Sequence, residues 1–221
     1  MFRKSLAVLG FALLAAAPLN AATYDPPLGI QSDVEVSDVL SGGWSTVYSG
    51  TYGSYVSYNA AFNNLEDWLI LASRKVGSAT FDLLAAIRVS DWNALPTGRN
   101  QTASHNGAEW YRNGSSMGFA PEGAAITQNS ADTVDAFGGD VSGTGDFRLS
   151  WHTSGYYGAP TAIRGGWRSG NNIWLNSSSD WERYVLTASD ADLSAVPLPA
   201  SGLLLVAGLA GVAALRRRKT V

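Results

Sequence analysis

Polar and apolar residues alternate with a period of two over several short stretches of this chain. In ATFDLLAAIRVS (79–90), Ala79, Phe81, Leu83, Ala85, Ile87 and Val89 fall on one side, opposite Thr80, Asp82, Arg88 and Ser90. That period predicts a strand with one buried face. Leu84 and Ala86 interrupt the polar side, which predicts partial cover there as well. DFRLSWHT (146–153) alternates similarly, with Phe147, Leu149 and Trp151 opposite Arg148, Ser150 and His152. WERYVLT (181–187) is a further β-rich run. LEDWLILASRK (65–75) fits a helix face through Leu65, Trp68, Leu69 and Ala72, and a buried strand through Trp68–Leu71. Its turn-bounded setting favours the strand. VYSGTYGSYVSYN (47–59) predicts a hairpin with Tyr48, Tyr52, Tyr55 and Tyr58 as a cross-strand aromatic ladder. Between these runs stand SGG, NGSS, GGDVSGTG and SGNN, all turn chemistry. Short strands joined by glycine-rich turns predict an all-β protein: one sandwich or jelly-roll-like domain of roughly 8 to 12 strands. SGGW (41–44) and RGGW (164–167) look alike, but no period of solenoid or propeller length is present.

Two stretches show no period at all, and they lie at the ends. Arg3 and Lys4 precede the apolar run LAVLGFALLAAAPL (6–19), and Ala21 and Ala22 follow as small residues at a cleavage point. This is the layout of a secretory signal peptide over 1–22. An uncleaved anchor is the competing interpretation, although the run is short for a membrane span of about 20 residues. At the other end SGLLLVAGLAGVAAL (201–215) has no polar face, so it predicts a single hydrophobic helix instead of a surface helix. Arg216, Arg217, Arg218 and Lys219 follow directly. Cations beside a span remain cytoplasmic, which places the body of the chain, residues 23–195, outside the inner membrane.

The tail VPLPASGLLLVAGLAGVAALRRRKTV (196–221) joins a proline motif, a hydrophobic run and an arginine cluster, in that order. It resembles the tripartite sorting signal of exosortase substrates, the PEP-CTERM class, in its VPLPA variant. Thr220 and Val221 extend slightly past the usual cationic end. The resemblance implies a Gram-negative, exopolysaccharide-producing cell. It also implies that a membrane-embedded exosortase-type transpeptidase recognises Val196, Pro197, Leu198, Pro199 and Ala200, cleaves nearby, and passes the body toward the cell surface. Signal peptidase would act at the other end, and the inner membrane would hold the chain only transiently. The two prolines suit this, because they remove backbone donors and favour an extended segment. A plain C-terminal anchor with a proline linker is the alternative. Segments of the body, such as NGAEWYRNGSSMGFAPEGAAITQNSAD (106–132) and GGWRSGNNIWLNSSSDWERYVLT (165–187), are similar to parts of other small exported proteins with such tails, for which no activity is assigned.

Charge sharpens the division. All 18 acidic residues lie between Asp25 and Asp192, with only nine of the 15 basic ones, so that region carries −9 while the whole chain carries −3. Such a domain is a poor partner for nucleic acid. There is no cysteine, which excludes disulfides and thiolate chemistry. The eight tryptophans are the main candidate chemistry, since a flat indole stacks on the C–H face of a sugar and its N–H can hydrogen-bond. Trp68, Trp151 and Trp181 continue strand patterns and are expected in the core. Trp92, Trp110 with Tyr111, and Trp174 sit beside turn residues and are the expected ligand-binding surface. Asp132, Asp135, Asp140 and Asp146 lie among glycines and offer oxygen ligands for calcium, without the spacing of a known calcium loop. A solvated acidic loop is the simpler expectation, and no other cofactor is indicated. Only His105, in the turn SHNG (104–107), and His152, on the polar face of its strand, are present, no nucleophile elbow occurs, and Glu109 with Glu182 is the least unreasonable carboxylate pair for glycoside hydrolysis. The expected function is therefore non-catalytic: a secreted or cell-surface protein associated with exopolysaccharide or biofilm matrix. A lectin-like carbohydrate-binding module is the alternative, and a glycan-processing enzyme a more remote one.

Overall fold

The computed structural model describes residues 23–126, 145–155 and 158–193. The expected signal peptide, the sorting segment 196–221, and Asp132, Asp135 and Asp140 lie outside the described residues. Twelve strands are present among the described residues. In chain order they are β1 (Ile30–Glu35), β2 (Ser45–Thr51), β3 (Val56–Ser57), β4 (Trp68–Lys75), β5 (Thr80–Arg88), β6 (Ala103–His105), β7 (Ala108–Arg112), β8 (Ser116–Pro121), β9 (Leu149–Ser154), β10 (Ala162–Ile163), β11 (Arg168–Ser169) and β12 (Trp181–Ala188). Four helices of one or two turns interrupt them: α1 (Val36–Ser41), α2 (Tyr58–Ala61), α3 (Val89–Ala94) and α4 (Asp190–Leu193). All pairings are antiparallel. One sheet runs β1-β5-β4-β12-β2; the other runs β3-β10-β9-β8-β7-β6, with β11 also on β9.

The core explains why the central strands lose their polar face. Leu69 and Leu71 of β4, Leu83, Ala85 and Ile87 of β5, and Val185 of β12 meet Ala108, Trp110, Met117, Phe119, Leu149 and Trp151 of the second sheet in one cluster. The opposite face of the first sheet is buried too. Ile70, Ala72, Leu84, Ala86, Tyr184 and Leu186 are covered by Val39 of α1, by Trp44, and by Leu193 of α4. Strands covered on both faces select apolar residues at nearly every position, so the β4 segment is a strand despite its helix-compatible spacing. The cover over Leu84 and Ala86 is the one expected from the interrupted alternation. Residues 22–195 form one unit.

Three local expectations fail. Phe81 does not share the inner face with Leu83; it packs with Leu84 and edge-on against the Tyr184 ring, at 5.2 Å. The ladder with β4 ends at the Ser73–Leu83 pair, while that with β1 runs on to Thr80, and the half-buried Asp82 turns to Ser169 of β11. The polar pattern there is offset by a residue where β5 runs past the end of its ladder with β4. Phe147 belongs to a 3-10 turn, Gly145–Phe147, ahead of β9, and is 45% exposed. The tyrosine hairpin does not form either. β2 pairs with β12 in the first sheet, whereas β3 pairs with β10 in the second, so the intervening residues cross between sheets. Tyr52 is consequently buried at that crossing, and Tyr58 stacks on Phe62 at 4.5 Å. By contrast SHNG closes as a tight hairpin between β6 and β7, with Asn106 and Gly107 both left-handed (φ 48 and 75).

Candidate functional site

Residues 167–175 form a hairpin appended to β9. Arg168 and Ser169 pair with Ser150 and Leu149, and Ser169 and Asn172 exchange both backbone bonds across Gly170 and Asn171. Leu175 N–H donates to Trp167 O at 3.1 Å and closes its base. Two glycines precede it for a steric reason. A Cβ on Gly166 would stand 2.3 Å from the buried Tyr52 ring, so only glycine lets the chain pass there. The tip is fixed to the first sheet, because the Ser169 hydroxyl meets Ser73 Oγ at 2.6 Å and bonds the Asp82 carboxylate.

Trp174 stands on the returning arm of this hairpin and is 64% exposed. Its backbone is left-handed, φ 65, a conformation rare for a bulky side chain. The ring meets Trp167 edge-on, centroids 4.0 Å apart and planes at 62°. Trp167 in turn lies nearly parallel to the His152 imidazole, at 6.4 Å and 24°. Burial pushes the His152 pKa down, and the Arg164 and Arg183 cations add to the shift. The exposed amides of Asn171 and Asn172 flank the tip. Below them a cleft of about 330 Å³ opens, lined by Asp33, Asp82, Asp146, Phe147, Asn171 and Asn172. Burial raises the Asp82 pKa, the Ser169 hydrogen bond opposes this, and the Asp33 charge adds to it. The hairpin thus presents the exposed Trp174 face, and the cleft sets the exposed Phe147 ring beside amides and carboxylates. That combination stacks a ring through its C–H face and hydrogen-bonds its hydroxyls.

Trp174 is the one expected ligand-contacting aromatic that the fold leaves exposed. Trp92, Trp110 and Tyr111 are fully buried, which corrects their expected surface position. α3 folds back after β5, so the Trp92 ring lies between Phe62 and Trp110 while its indole donates to Tyr58 Oη. Trp110 lies in mid-strand on β7, against Phe119, and its N–H donates to His105 O. Tyr111 faces the other side of β7 and donates to Leu149 O. Trp151 is core, whereas Trp68 and Trp181 are only partly buried. Trp167, Phe147 and His152 were not singled out as site residues. The paired glycine before Trp167 is the only sequence sign of its position.

The carboxylate pair does not converge. Glu109 alternates with Ala108 and Trp110, so it faces away from the core on the second sheet, bonded to Ser104 Oγ and Gly123 N–H. Glu182 faces away on the first sheet, on Arg74 at 2.9 Å and Tyr184 Oη. Sheets pack about 10 Å apart, so outward carboxylates on opposite sheets exceed the roughly 5–9.5 Å separation of glycosidase pairs. Arg183, next to Glu182, is buried in mid-sheet, donating to the Gly165, Thr51 and Ser54 carbonyls. Among the described residues, no three His, Cys, Asp or Glu side chains are grouped to hold a metal ion; of the four calcium candidates only Asp146 is described. No helix among the described residues is long and apolar enough to cross a membrane. No protein-family model, no curated protein and no solved structure matches the chain.

Proposed function

We propose that the protein is a non-catalytic component of an exopolysaccharide or biofilm matrix, whose β domain binds polysaccharide through Trp174. The exposed indole of Trp174, on the same hairpin as the exposed Asn171 and Asn172 and in edge-on contact with Trp167, is the observation that carries this reading. In this proposal residues 1–22 direct export. The VPLPA tail (196–221) delivers the chain through an exosortase to the surface of a Gram-negative cell, leaving it in the inner membrane only during sorting.

Glycan-array binding and retention in polysaccharide-containing gels test the binding half. Wild type should be retarded by the producing cell's exopolysaccharide, and Trp174→Ala should not, with its melting transition close to wild type. Equal retention of the two proteins refutes the Trp174 site; absence of binding to any glycan leaves a passive matrix component. Intact mass of protein from the cell surface tests delivery. The mature chain should start near Ala22 and lack everything past the VPLPA region. Surface protein that still carries residues 203–215 contradicts sorting.

A further inference from the structure

Building on the saccharide reading of Trp174, we infer that Trp167 supplies the hydrogen-bond donor of the same site, a sugar hydroxyl taking its indole N–H when Trp174 moves aside. The indole nitrogens of Trp44, Trp68, Trp92, Trp110 and Trp151 all have acceptors: Tyr24 O, Asp190, Tyr58 Oη, His105 O and Tyr52 Oη. The Trp167 nitrogen is buried and has none among the described residues. A buried donor without a partner is costly, and native proteins keep few of them. Trp174 packs directly on this indole, at 4.0 Å.

The closed arrangement therefore carries two unfavourable features at one place. One is the unsatisfied N–H; the other is the left-handed backbone of Trp174. Little opposes its opening, because Trp174 is mostly exposed while the bonds of the hairpin tip and base hold the remaining residues. A sugar hydroxyl accepts such an N–H and keeps its own proton to donate. The ligand class is a hydroxyl-rich glycan, and its binding shifts Trp174 toward the open state by its preference for that state.

The test uses the full-length chain in detergent, with β-1,4-linked hexamers of glucose and of N-acetylglucosamine and the cell's exopolysaccharide as probes. Trp167→Phe keeps an aromatic face but removes the N–H. It should weaken binding about five- to tenfold, the weight of one hydrogen bond, without lowering the melting temperature. In spectra of protein carrying ¹⁵N-labelled tryptophan, the Trp167 indole resonance should shift and gain protection from exchange on saccharide addition. This second measurement decides the matter even if Trp167→Phe folds poorly. Binding that is lost in Trp174→Ala but unchanged in Trp167→Phe, or a bound spectrum with an unmoved Trp167 resonance, overturns the role of Trp167 and leaves the Trp174 site standing. Wild-type protein that binds none of the probes removes both.

Discussion

Replacing Trp174 by glycine should leave the domain more stable than replacing it by alanine, although glycine is ordinarily the worse residue. At φ 65 a residue bearing a Cβ stays strained by about 1–2 kcal/mol, and alanine keeps that strain. Both substitutions lose the edge-on contact with Trp167, worth roughly 0.5–1.5 kcal/mol. Both lose little burial, since the side chain is 64% exposed. Glycine relieves the strain but gives the unfolded chain extra freedom, a penalty of about 0.4–1 kcal/mol. The difference favours glycine by roughly 1 kcal/mol, which for a domain of this size is about 2–4 °C in melting temperature. Thermal and urea unfolding of the two variants, followed by circular dichroism, measures it. If alanine proves as stable as glycine or more so, Trp174 is not held in the left-handed conformation, and the strain invoked for the site does not exist.

Other consequences follow from burial and charge. Trp92→Ala and Trp151→Ala should each cost about 3–5 kcal/mol, because both rings are fully buried; a small loss in urea melts would show that the aromatic core is misassigned. Arg183→Met should destabilise by about 3 kcal/mol or more, since the buried Gly165, Thr51 and Ser54 carbonyls lose a donor; unchanged unfolding midpoints would contradict this. The raised pKa of Asp82 means its native contribution is full in acid, below the unfolded carboxyl value, and is lost as pH rises through the folded one. Asp82→Asn should therefore gain stability over wild type as pH climbs from the acid range to neutrality, and a gain that instead shrinks with rising pH would reverse the sign of the shift. His152 works oppositely: its lowered pKa means stability is lost as pH falls from about 6.5 toward its folded value, so His152→Gln should flatten that limb of the melting profile.

The β class and the positions of β4, β5, β9 and β12 were legible in the sequence because side-chain alternation is a local consequence of backbone geometry, whereas β1, β7 and β8 were not. Leu84 and Ala86 even announced their cover, since an apolar residue on a polar face must meet something. The turn at Asn106 and Gly107 was legible for the same reason: a left-handed pair needs those residue types wherever it occurs. Exposure of the tryptophans was a different matter. Trp92 and Trp174 both stand beside asparagine in turn-like surroundings, yet one is sealed between Phe62 and Trp110 and the other faces solvent. The tyrosine-rich segment reads as a hairpin until β12 captures β2 and β10 captures β3, which draws its two halves into opposite sheets. Trp167 carries no local mark of an unsatisfied N–H; that state arises because, among the described residues, no acceptor from another strand reaches the buried nitrogen. Local pattern determined four of the longer strands. Which indoles have partners and which meet water was decided by contacts between residues far apart in the chain, and a one-dimensional pattern does not record those.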